Sequence, residues 1–201
     1  MSNVKVSNTR KLVVVAMLSA IATVIYYLDF NVPLMPAFIK LDLSNVISLI
    51  AAFALGPVSG VSVCLIKNLI HLVIKGLGTT YGIGDIFDFV TSAVFALVAG
   101  FIYLKMKNKK GAVIGCSIGT IAFAAISLPL NLFIVYPIYA AAFGGMDAIL
   151  GMYKEIMPSV DSLFGALAIF NLPFTLIKGI ICSLVTILIY KPLSPIIKGR
   201  S

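Results

Sequence analysis

The chain has 201 residues, 61% of them hydrophobic and 11% charged, with a formal net charge of +8 and a mean hydropathy of +1.12. Soluble domains carry roughly 25% charged residues, so this composition excludes an ordinary soluble enzyme or binding module and points to a chain whose solvent is lipid. The basic residues cluster beside apolar segments rather than covering one face, which speaks against nucleic acid as a partner.

A spanning helix needs about 20 mainly apolar residues. The first candidate covers about residues 11–28. Its basic start and the run "AMLSAIA" raise a cleaved signal peptide, but the apolar run continues through "TVIYYL" to spanning length, so a retained helix is expected. "DFNVPLMPAFIKLD" reads as a loop with two prolines and mixed charge. A rather short second helix, about 43–55, meets a third, about 57–75, at the tight turn "GPVSG". The glycine-rich "GLGTTYGIGD" leads to a fourth, about 86–104, and the basic "KMKNKK" to a fifth, about 111–142, disturbed at Pro129 and Pro137. "FGGMDAILGMYKEIMPSVDSLFGALAI" is less apolar and reads as an outer loop with a short surface helix; the sixth span follows at about 172–190.

The expected fold is therefore all-α: one integral-membrane domain over residues 1–201, a polytopic bundle of six transmembrane helices with both termini on one side. Lys5, Arg10 and Lys11, then Lys105 to Lys110, then Lys191, Lys198 and Arg200 mark that side as cytoplasmic. The acidic residues Asp29, Asp42, Asp85, Asp88, Asp147, Glu155 and Asp161 all fall in outer loops or at outer helix ends, a weaker indicator of the same topology. No internal repeat, low-complexity tract or linker interrupts the chain. Cys64, Cys116 and Cys182 stand alone in apolar runs, which excludes an even disulfide framework and a zinc site, and leaves buried inert thiols.

Two lysines lie inside spans. A charge at mid-membrane costs ~2.5–3.5 kcal/mol on insertion scales, and such residues usually face the bundle interior. Lys67 sits roughly 12 Å below the outer end of the third helix and Lys178 roughly 9 Å below that of the sixth. Asn171, Thr175 and Lys178 recur at i, i+4 and i+7 on one face; Lys67 and His71 make a second stripe with Asn68 beside it, and Asn131 lies at comparable depth on the fifth helix. The competing readings are snorkelling of the lysines to the headgroups and interhelical hydrogen bonding by His71 and Asn131. As a layer in the outer half of the bundle, with Tyr81, Phe89, Tyr136 and Tyr139 nearby, these donors suit a planar, partly apolar ligand with carbonyl edges and a hydroxylated arm. No nucleophile with an oriented base, no metal cluster and no phosphate loop ending in GK[ST] is present, so any ATP must be bound by another chain. Ala16 and Ala20, small residues four apart with Ser19 and Thr23 close by, suit packing within the bundle or docking of a partner membrane protein.

"AMLSAIA", "LDLSNV" followed by "FALGPVSG", "KNLI", "NLFIVYPIY" and "PFTLIKGI", in this order on six spans, resemble the substrate-binding (S) components of energy-coupling factor (ECF) vitamin transporters, most of all the riboflavin-specific members. The resemblance covers nearly the whole chain. It implies a non-enzymatic subunit of the bacterial cell membrane that binds riboflavin from outside without a cofactor. It also implies docking, through Ala16 and Ala20, on a transmembrane coupling (T) protein with two ATPase subunits, and toppling in the membrane to release the vitamin inside. By position, Asn131 and Lys178 would contact flavin and the loop through Lys40, Leu41 and Asp42 would cover the site, with Lys67, Asn68, Tyr136, Asn171 and Thr175 completing the substrate layer. Thr175 stands where similar members can carry Asn in a "PFNxxKG"-like pattern, and His71 where the residue can be Asn. Another vitamin or FMN is the alternative ligand, because two lysines tolerate an anion. A stand-alone proton-coupled carrier would want an acid in the membrane centre, and a membrane-embedded enzyme a catalytic constellation.

Overall fold

The structure, a computed structural model, describes residues 7–78 and 80–198. Lys5 and Arg200, two of the residues that orient the chain, lie outside the described residues, as does Thr79 of the glycine-rich loop. Helix α1 (Asn8–Tyr27) starts where the Ser7 hydroxyl accepts from the Arg10 amide at 3.3 Å, an N-cap. A small antiparallel hairpin follows, β1 (Phe30–Asn31) and β2 (Lys40–Leu41), pairing Phe30 with Leu41 and Asn31 with Lys40. It departs from the all-α expectation; strands this short show no alternation to read.

Helices α2 (Asn45–Leu55) and α3 (Pro57–Lys75) meet at Gly56, whose φ of 104° a side-chain-bearing residue rarely adopts. Helix α4 (Ile83–Met106) turns through Lys107 into α5 (Lys109–Leu130), which Asn108 caps by accepting from the Gly111 amide at 2.7 Å. Helix α5 runs through a π-helical turn (Asn131–Val135) into α6 (Tyr136–Phe143). After the surface helix α7 (Met146–Lys154), α8 (Leu163–Ala166) runs through a second π turn (Leu167–Asn171) into α9 (Leu172–Lys198). The last helical stretch thus begins well before the expected residue 172. Pro173 imitates a helix start, yet the helix passes through it. A proline ring collides with the carbonyl four residues back. For Pro137 and Pro173 those carbonyls belong to Phe133 and Ile169, the middle residues of the two π turns, where the widened turn moves them aside.

Among the described residues, five helical stretches are long and apolar enough to cross a membrane: Asn8–Tyr27, Pro57–Lys75, Ile83–Met106, Lys109–Phe143 and Leu163–Leu193. Helix α2 has 11 residues and, at ~1.5 Å each, covers only about half of a ~30 Å hydrocarbon core. It is buried from Asn45 through Ala54 and packs against α1, α3, α4 and α9, as an all-round apolar helix must. Its contact with α3 is close: a Cβ on Gly60 would lie 2.7 Å from Ala52 Cβ and 2.8 Å from the Ser48 carbonyl oxygen.

Among the described residues two larger apolar cores result, beside a small cluster of Ala52, Cys64 and Ala96. One gathers Leu49, Ile50, Val63, Phe95, Phe123 and Cys182; the other gathers Ile83, Val135, Tyr136, Ile149, Tyr153 and Leu167. A polar step lies between them on α4, Asp85 to Thr91, and from the second π turn into α9, Asn171 to Lys178; Lys67 to His71 on α3 are buried polar residues as well. At the far end from this layer, Arg10 Nε donates to the Ile197 carbonyl at 3.4 Å, so the first turn of α1 lies beside the last turns of α9.

Candidate ligand-binding cavity

The polar step opens into a cavity of about 420 Å³. The β1–β2 hairpin closes one side, held by the Lys40–Asp29 ion pair at 3.0 Å. Gly76, Leu77, Gly78, Thr80 and Gly82 also line it, the three glycines at positive φ. Tyr26, Phe38, Phe87, Tyr139, Phe143 and Phe174 supply aromatic lining. Phe38, from the hairpin loop, inserts among Tyr136, Tyr139, Phe143 and Tyr153 with ring centroids 5.6–6.5 Å apart.

The floor is ionic. Lys178 Nζ lies 2.7 Å from Asp42 Oδ2 and 3.7 Å from Asp88 Oδ1. Lys67, with no exposed surface, lies 2.8 Å from Asp88 Oδ2, donates to Ser44 Oγ, and stands 4.6 Å from the Tyr26 ring centroid. Asn68 Nδ2 donates to Asp88 at 3.0 Å. Asp42 accepts from both the amide and the hydroxyl of Ser44, which fixes the entrance to α2. Burial alone would raise the Asp42 carboxyl, but the ammonium groups of Lys178 and Lys67 hold it well below the usual carboxylate range. The two lysines therefore do not snorkel; each buried charge has its counter-charge, the condition under which burial is tolerated. On the rim, His71 Nδ1 pairs with Asp85 at 2.5 Å, between the rings of Tyr26 and Tyr27.

The carboxylates overturn part of the sequence reading. Asp42, Asp85 and Asp88 count there as outer helix-end markers, whereas all three are buried and face the cavity. The absence of a buried acid also ceases to be an argument against proton coupling. The signal was present in Asp85, Asp88 and Thr91, at helical spacing on one face of α4.

The asparagines differ in what they offer. Asn171 sits in a closed ring: its Oδ1 accepts from the Tyr153 hydroxyl at 2.7 Å, its Nδ2 donates to Tyr136 at 2.7 Å, and the two phenols bond each other. Tyr153 comes from α7, and its phenol is pushed far above its ordinary pKa by burial and by Tyr136, so it remains a donor. Thr175 donates to the Asn171 carbonyl at 2.8 Å, leaving only acceptor capacity toward the cavity. Asn131 lines the cavity, and its amide makes no side-chain hydrogen bond among the described residues.

Of the sequence-selected residues, Lys40, Asp42, Asn131, Tyr136, Asn171, Thr175 and Lys178 line the cavity together. Leu41 is buried beside it, and Lys67 and Asn68 stand behind the wall, reaching it through Asp88. Tyr81 is 71% exposed and Phe89 packs elsewhere, whereas Tyr26, Phe38, His71, Asp85 and Asp88 belong to the lining. Ala16 and Ala20 are on the exposed face of α1, not packed in the bundle.

Comparison with known proteins follows the same lines. The family model for "ECF transporter, substrate-specific component" matches residues 10–190. The Riboflavin transporter RibU of Staphylococcus aureus (strain TCH60) is 33% identical over 189 residues, 94% of this chain and 93% of that protein. The Riboflavin transporter FmnP of Bacillus subtilis (strain 168) is 33% identical over 191 residues, 95% of each chain. A solved structure of the S component of a bacterial ECF transporter superposes with a TM-score of 0.72 at 33% identity, covering 96% of this chain and 99% of that one.

Proposed function

The chain belongs to the substrate-specific components of ECF transporters, and on that premise we propose that it captures riboflavin from outside and hands it to an ATP-driven coupling module. The family is one of transporter components, not enzymes. The observation that carries the ligand is the pairing, in one cavity, of an uncommitted Asn131 amide with the Lys178 ammonium between aromatic walls. At about 420 Å³ the cavity lies in the usual small-molecule range of ~300–1,000 Å³. Asn131, Lys178 and Asp88 present donors and acceptors to the carbonyl edges and hydroxyls of a flavin, Tyr136, Asn171 and Thr175 shape the wall, and Lys40 to Asp42 form the cover. Lys67 and Asn68 serve through Asp88.

We read the short helix α2 as the sixth pass, with both termini on the cytoplasmic side of a bacterial cell membrane and the cavity in the outer half. The basic clusters and the Arg10–Ile197 contact support this reading. The detergent-purified chain is expected to be yellow, to release riboflavin on denaturation, and to quench added riboflavin fluorescence. A colourless protein without quenching overturns the ligand.

For the partner, we propose that the exposed Ala16–Ala20 face of α1 takes a close helix contact from the transmembrane coupling protein, which carries two ATPase subunits. Ala20→Trp is expected to leave riboflavin affinity within about twofold and to cut uptake in cells at least tenfold, since a bulky side chain bars close approach of two backbones. Equal loss of binding and uptake would remove the docking role.

A further inference from the structure

We propose that Asp88 is a specificity-determining residue, closing a charge balance at the cavity floor that favours an uncharged ligand over its phosphorylated, anionic form. The inference rests on the flavin reading above and concerns which flavin the site prefers. The charged groups around the cavity fall into two sets. At the mouth, Lys40 pairs with Asp29 and Lys75 is exposed, where water and salt screen them, while His71 and Asp85 form a separate buried pair that the substitutions below leave unchanged. At the floor, Lys67 and Lys178 face Asp42 and Asp88, all with side chains 10% exposed or less. Two cations against two anions leave this buried quartet neutral.

Asp88 is the member that serves both lysines, at 2.8 Å and 3.7 Å, and it alone of the quartet's carboxylates is also held by Asn68. Taking away its charge leaves two ammonium groups against one carboxylate beneath the ligand. Taking away Lys67 instead leaves the opposite imbalance, and it does so without touching the ligand, because Lys67 does not line the cavity. An unscreened unit charge about 10 Å from a phosphate, at an effective dielectric of about 20, alters affinity roughly tenfold.

The test is the ratio of riboflavin to riboflavin 5′-phosphate affinity, measured by fluorescence quenching on the full-length protein in detergent at low salt. Asp88→Asn is expected to lower the preference for riboflavin roughly tenfold and Lys67→Met to raise it by a similar factor. The double variant Asp88→Asn/Lys67→Met, neutral again, is expected to return to the wild-type ratio. Asp147→Asn, the same charge change at an exposed position of α7, is expected to leave it unchanged. Should Asp88→Asn fail to fold, Lys67→Met and the double variant decide the matter. A ratio indifferent to all these charges, or one that moves the same way in Asp88→Asn and Lys67→Met, overturns the role of Asp88. A wild-type chain that quenches neither flavin overturns the flavin reading itself.

Discussion

Replacing Lys178 by alanine is expected to weaken riboflavin binding by about 10–100-fold and to destabilise the protein at the same time. The first effect follows from losing a charged donor to the ligand, worth ~1.5–3 kcal/mol. The second follows from Asp42, which is 3% exposed and loses its nearest cation; removing one partner of a buried pair costs ~3–5 kcal/mol. Sequence reasoning anticipates only the first loss, because it sees the lysine without its carboxylate. The two effects separate in the pair Asp42→Asn/Lys178→Met. Its thermal stability is expected to recover toward wild type, since no orphaned charge remains, while its riboflavin affinity stays low. Full affinity in Lys178→Ala, with only the melting temperature reduced, would make Lys178 a structural counter-ion and nothing more.

Gly60→Val is expected to have the largest effect on the fold. The new Cβ alone would lie 2.7 Å from Ala52, 2.8 Å from the Ser48 carbonyl oxygen and 3.1 Å from Ala96. One of those neighbours is backbone and none is the end of a flexible chain, so α2 must move away from α3. Overpacking typically costs ~1–3 kcal/mol, and more where the backbone cannot yield. Because α2 begins at the Asp42–Ser44 turn and α3 carries Lys67, the same displacement pulls apart the cavity floor. Thermal melting by size-exclusion chromatography, with flavin binding on the surviving fraction, reads both losses. Gly151→Ala on α7, where a Cβ meets nothing within 4 Å, is the control and is expected to melt at or slightly above wild type. Wild-type melting of Gly60→Val would mean that α2 and α3 do not approach closely.

What the sequence discloses and what it hides divides by range. Hydropathy reveals the long helices because length and apolar composition belong to single segments, and the Asn171–Thr175–Lys178 stripe is visible for the same reason. The partners of those residues are not visible. Lys178 meets Asp42 across 136 positions of chain, and Asn171 meets Tyr136 and Tyr153 from two other helices. Asp85 and Asp88 share a polar face of α4 with Thr91, but nothing in α4 says that Lys67, Lys178 and His71 lie opposite. Pro173 misleads for a local reason: the π turn that admits it has no composition of its own, and only the packed structure shows the helix continuing upstream. The family resemblance narrows the ligand where physical reasoning stops at a planar molecule with polar edges. It puts Asp42 in the covering loop but pairs neither Asp42 nor Asp88 with the lysines they hold in place.

The short helix α2 has an electrical consequence. Beneath the cavity the insulating layer is completed by protein, through a helix buried on every side by the larger apolar core. A bare ion crossing it would meet a desolvation cost of tens of kcal/mol, against only ~2.3 kcal/mol gained per 100 mV of membrane potential. With α2 as the proposed sixth pass, the voltage drops across it instead of leaking through the site. On the proposed neutral floor, an uncharged cargo does no work against that field, so it can be held there without carrying charge through the membrane.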